Sequence, residues 1–156
     1  MKKQSGFTLI ELLLVLAIIG IIAAIAIPAL LGQREKAKAK AVGSLVANIA
    51  AECTRVNDDL REKNGTAPTA ASVVAAVKSL PNYQYPAVKN PYGGGATPYT
   101  AAAAPTTDGE VSLDAQESYT DPAVAGNVYK AIVITGQAKK IGAAGADLVV
   151  KVVALD

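Results

Sequence analysis

Between Phe7 and Leu31 the chain reads FTLIELLLVLAIIGIIAAIAIPALL, about 25 residues in which Glu11 is the one ionisable side chain. As a helix rising ~1.5 Å per residue, this stretch extends roughly 37 Å, enough to cross a ~30 Å hydrocarbon core with some tilt. Beyond Pro28 the pattern turns amphipathic. Val42, Leu45, Ile49, Cys53, Val56 and Leu60 recur at alternating spacings of three and four, while Arg34, Lys36, Lys40, Asn48, Arg55, Asp59 and Glu62 take the opposite face. The spacing predicts a single helix from Phe7 to about Lys63, half membrane span and half scaffold. Asn64-Gly65 should end it, because these residue types suit a left-handed cap.

Thr69 to Ser79 reads as a short second helix that Thr69 or Ser72 can cap and Pro81 stops. From 82 to 108 the chain is rich in Pro, Gly, Ala, Thr and Tyr without clear periodicity, which predicts a loop-dominated excursion. Its Gly93-Gly94-Gly95 run lacks the preceding strand and the GK[ST] ending of a phosphate cradle, and reads as a flexible turn. Three segments rich in Val and Ile follow, Glu110 to Ala115, Val128 to Thr135 and Leu148 to Leu155, separated by Gly, Pro, Asp and Asn. Their short connections favour an antiparallel meander whose apolar face covers the stripe on the long helix. The fold class expected is α+β, a long N-terminal α-helix packed on a small antiparallel β-sheet, with residues 32–156 forming one globular domain.

Charge and rare residues narrow the function. There are 15 Lys and Arg against 13 Asp and Glu, and two of the cations are Lys2 and Lys3, so the chain lacks the basic footprint of a nucleic-acid binder. Histidine is absent and Cys53 is the single cysteine, which removes an internal disulfide, the usual zinc sites and the Ser-His and Cys-His nucleophile pairs. Cys53 falls on the apolar stripe and reads as a small core residue. Asp108, Glu110, Asp114 and Asp121 lack calcium-loop spacing and read as solvated turn acids. The expectation is no enzyme, no cofactor and no metal.

The short positive flank MKKQSG before the apolar run puts Met1 in the cytoplasm and everything past Leu31 outside. A cleaved signal peptide ending at Ala24-Ile25-Ala26 and a plain signal anchor are both open on this pattern, although the run is about twice the length of an ordinary signal-peptide apolar region. Neither accounts for Glu11. A carboxylate well inside a bilayer costs about 2.5–3.5 kcal/mol on insertion scales, so it needs a partner or a hydrated place near the interface. A cut between Gly6 and Phe7 would create that partner, turning a neutral amide nitrogen into an ammonium within about one helical turn of the carboxylate.

Gly6-Phe7-Thr8-Leu9-Ile10-Glu11, preceded by a short basic leader and followed by a long apolar helix, resembles the prepilin signature of the type IV pilin and pseudopilin superfamily. The resemblance covers roughly the first 30 residues. It implies a leader of residues 1–6 removed after Gly6 by a membrane prepilin peptidase, N-methylation of Phe7 by the same enzyme, and a role for Glu11 in subunit registration. It also implies a pilin-like fold, a single-pass membrane state before assembly and a surface filament afterwards. Pro28 matches the family's helix proline; with Gly20 it marks a stretch that either extends on filament packing or simply bends at the membrane surface.

Asn90-Pro91-Tyr92-Gly93 looks like the Pro-aromatic-Gly element of some major pseudopilins. The leading expectation is a structural subunit of a type IV pilus, with partners in other copies of itself, the prepilin peptidase, a membrane platform protein and an assembly ATPase. The alternatives are a pseudopilin of a type II secretion or DNA-uptake apparatus and a membrane-tethered binding or enzymatic domain. Many Gram-negative major pilins close a C-terminal loop with a disulfide, which Cys53 has no mate to form.

Overall fold

The structure is a computed structural model that describes residues 6–84, 89–93, 98–100, 104–120, 122, 128–139 and 145–155. Lys2, Lys3, Gly94, Gly95 and Asp121 lie outside the described residues. The chain forms two units, Met1–Lys36 and Ala37–Asp156, and each is described by itself.

In the first unit, α1 (Leu9–Asn64) begins and runs without interruption through Gly20 and Pro28. Nearly every side chain from Phe7 to Leu31 is exposed. Among the described residues, α1 is the one helix long and apolar enough to cross a membrane. So large an apolar surface is unstable in water and marks a segment meant for lipid or for other protein.

In the second unit, α1 buries the expected stripe. Val42, Leu45, Ile49, Cys53 and Val56 are buried, Leu60 packs beside them, and Val46, Ala50 and Asn57 widen the face. The helix ends as its sequence indicates: Gly65 adopts φ +67° and its N–H donates to the Arg61 carbonyl at 2.9 Å. α2 (Ala70–Ser79) is capped by Thr69, whose hydroxyl accepts from the Ser72 N–H at 3.2 Å.

The sheet is a meander of β1 (Val111–Thr120), β2 (Val128–Lys139) and β3 (Ala146–Leu155), antiparallel throughout and in the order β1-β2-β3. Its inner face sends Val111, Leu113, Ile132 and Ile134 into the core shared with α1 and α2. Burying each large aliphatic side chain contributes about 1.5–3 kcal/mol. The α+β class stands, with a long N-terminal helix and a small antiparallel sheet.

The strands outrun their sequence boundaries. β1 continues past Ala115 because a bulge between Gln116 and Tyr119 breaks the period-two alternation without ending the pairing. Glu117, inside that bulge, accepts from the Ala71 N–H at 3.3 Å, placing a carboxylate at the amino end of α2 where free N–H groups favour it. β2 continues past Thr135 through Gly136, whose missing side chain lets the strand lie against Val42 and Val46 of α1.

The region 82–108, expected to be loop-dominated, contains more structure than its composition suggests. Pro81 opens a one-turn helix, α3 (Pro81–Gln84), consistent with proline's preset backbone at a first helical position. Tyr83 stacks on Tyr99 at 4.7 Å between ring centroids and its hydroxyl donates to the Thr100 carbonyl at 3.0 Å. Residues 98–100 pair with the edge of β1, Val111 N–H donating to Pro98 and Thr100 N–H to Val111. Asn90-Pro91-Tyr92-Gly93 forms a turn in which the Asn90 side chain accepts from the Tyr92 N–H at 2.8 Å and donates to the Asp108 carbonyl at 3.0 Å.

Glu110 is employed in a turn, whereas Asp114, read from the sequence as a turn acid, lies inside β1 and pairs with Val133. One Glu110 oxygen accepts from the Thr106 N–H, the Thr106 hydroxyl and the Thr107 N–H. Burial raises the Glu110 pKa, but these donors outweigh it and hold the carboxyl below its usual range. Asp114 accepts from Gln116. Cys53 is buried, and desolvation pushes its thiol up to about 12, so it is an unreactive core residue.

Candidate functional site

The residues singled out by sequence gather at the head of α1 and along its exposed apolar half. Thr8 is the N-cap: its carbonyl accepts the first helical bond, from the Leu12 N–H at 3.3 Å. The Thr8 hydroxyl accepts from the Glu11 N–H at 3.3 Å. In return one carboxylate oxygen of Glu11 accepts from the Thr8 N–H at 2.8 Å and the Thr8 hydroxyl at 2.7 Å. Two otherwise unsatisfied donors of the first turn are thus paired reciprocally, which is a capping box.

Sequence reasoning missed Thr8. The signal was present, since Thr-x-x-Glu directly before an apolar run is the capping-box pattern. Glu11 therefore has two physical tasks to weigh, starting the helix cleanly and carrying a charge at the entry to an apolar segment.

The Gly6–Phe7 bond precedes this box and takes no part in it. Gly6 is exposed, with open space where a side chain would sit, and Phe7 is 85% exposed. Gly20 also faces open space and stays within α1, where glycine costs about 1 kcal/mol relative to alanine. Neither glycine adopts a left-handed conformation. Nothing inside the folded chain requires a glycine at either place.

A model of the prokaryotic N-terminal methylation motif matches residues 1–27. The chain carries the N-terminal motif of the type IV pilin and pseudopilin superfamily and is similar to its members. Among curated relatives it is 36% identical over 95 residues to the type II secretion system core protein G of Klebsiella pneumoniae, a match covering 60% of this chain and 64% of that one. The core protein G of Escherichia coli K12 is 52% identical over 46 residues, 29% of this chain and 32% of its own length. A fimbrial protein of Pseudomonas aeruginosa is 79% identical over 28 residues, 18% of each chain.

The chain thus spans less than two thirds of the length of these pilin-superfamily relatives. No solved structure matches it significantly. The Klebsiella match is longer than the apolar segment and so reaches into the globular body of this pilin-like chain.

Proposed function

We propose that this chain is a structural subunit of a type IV pilus, held in the membrane by residues 7–31 until it polymerises through that same helix. The observation that carries the reading is an apolar half-helix, exposed almost throughout, with a carboxylate at its head. Lipid satisfies such a surface before assembly, and neighbouring copies of it satisfy it afterwards.

Cleavage after Gly6, by a prepilin peptidase reading the basic leader from the cytoplasmic side, starts the process. The glycine is explained by recognition, because the fold places no demand on it. The cut leaves the capping box whole, since every bond of the box runs between Thr8 and Glu11. It adds an ammonium on Phe7, one residue before an N–H that already donates to Glu11. Methylation of Phe7 preserves that charge. Glu11 then serves registration, pairing with the ammonium as helix heads are drawn together in a medium where an unpaired charge is costly. Gly20 and Pro28 weaken the stretch between them, which extends as subunits pack. A platform protein and a cytoplasmic ATPase extract the subunit.

A pseudopilus of type II secretion is a second reading, favoured by the 95-residue likeness to a core protein G. Imaging cells with and without this chain tests both. A pilus subunit gives surface filaments that vanish with the chain. Loss of protein secretion with no change in surface filaments selects the pseudopilus, and loss of neither overturns the filament reading.

A further inference from the structure

The last strand of the sheet carries a second surface. β3 is an outer strand, and among the described residues nothing pairs with its far edge. Val149, Val153 and Leu155 turn toward the core, while Leu148 and Val150 on the opposite face are 59% and 54% exposed. Past Leu31, Val128 is the one other large apolar side chain so exposed among the described residues. An edge strand apolar on both faces is a template for a further strand, and such edges are usually guarded by charge. Lys151 stands on this edge strand as a guard, yet Asp147 lies four residues before it. Both are exposed, and neither forms an ion pair among the described residues.

We propose that β3 pairs edge to edge with β3 of a second copy of this chain, antiparallel and centred on Val149. The charges choose the register. Centring on Val149 sets Asp147 of each copy opposite Lys151 of the other, Leu148 opposite Val150, and Val149 opposite its own equivalent. Residues directly opposite in an antiparallel pair share a face. Positions 147, 149 and 151 lie on one face of β3 and 148 and 150 on the other, so both faces continue across the joint.

The neighbouring registers are worse. Centring on Lys151 opposes two ammonium groups, and centring on Val150 sets each charge against a valine. A shift by a single residue places the inward face of one copy beside the outward face of the other. The pairing uses β3 alone, so it applies to subunits in the membrane and to subunits of adjacent filaments, and it stands independently of the filament reading.

Cysteine cross-linking of the full-length chain in membranes tests it. Val149→Cys should give a disulfide-linked dimer on oxidation, several-fold more than Lys151→Cys on the same strand. Co-expressed Leu148→Cys and Val150→Cys chains, altered only at exposed positions, should cross-link to each other more than either does to itself. Native Cys53 is fully buried and does not compete. In the Val149→Cys background, Asp147→Lys or Lys151→Asp alone should lower the dimer about tenfold, because like charges then stand opposite. The two changes together should restore it. Equal cross-linking at 149 and 151, absence of the 148–150 product, or failure of the double exchange to restore the dimer overturns the proposal.

Discussion

Glu11→Val is expected to cut filament yield by at least about a hundredfold while leaving the amount of subunit in the membrane unchanged. The valine removes a carboxylate that costs about 2.5–3.5 kcal/mol inside a bilayer, so insertion is not impaired. It leaves the Phe7 ammonium without its partner once helix heads are buried together. Breaking a buried pair from one side costs about 3–5 kcal/mol, or roughly two to four orders of magnitude in association. It also removes the acceptor of two Thr8 donors, and the loss of such a cap costs about 1 kcal/mol.

Glu11→Gln separates these two contributions. Glutamine can complete a capping box but carries no charge. If Glu11 acts through its charge, the Gln variant fails to make filaments as the Val variant does. If Glu11 serves only to start the helix, the Gln variant assembles normally and the pairing idea is lost. Filament counts by electron microscopy, with subunit levels measured by immunoblot, read the difference.

The second large effect is in the globular unit. Gly136→Ala should destabilise it by about 1–3 kcal/mol, the ordinary cost of forcing an extra methyl group into a packed core. The new carbon would lie 2.6 Å from a Val46 methyl and 2.8 Å from a Val42 methyl. Both neighbours are β-branched and have little rotamer freedom with which to yield. Gly43→Ala is the matched control, because it sits on α1 facing open space and should be neutral or stabilising by up to about 1 kcal/mol. Denaturant melts of the detergent-solubilised chain distinguish the two; an unperturbed Gly136→Ala variant would mean that β2 and α1 are not so closely packed.

Gly136 also shows where sequence reading loses information. Glycine after a run of Val and Ile reads as a strand terminator, and only the closeness of a helix explains why it lies inside one. The bulge after Gln116 has the same character. The polar run Glu117-Ser118 looks like a strand's end, whereas the structure uses the irregularity to bring Glu117 to the start of α2. The anchoring of 98–100 rests on Tyr83 meeting Tyr99 and on Asn90 reaching Asp108, contacts between positions 16 and 18 residues apart that no local pattern encodes.

By contrast, α1 was legible over its whole length. Its apolar spacing, its polar face and Gly65 each report a local requirement of helical backbone. The motif at its head was legible too, because Gly6 to Glu11 is contiguous. What escaped there was Thr8, whose bonds to Glu11 are hidden when the carboxylate is considered only as a charge in search of a partner.

The intact mass of the subunit in sheared surface filaments tests the account most directly. A chain that begins at Phe7, lacking residues 1–6 and carrying one added methyl group, is the predicted result. A filament-free preparation in which the chain keeps Met1, or begins near Ala26, would contradict it and make the apolar helix a tether or a signal sequence.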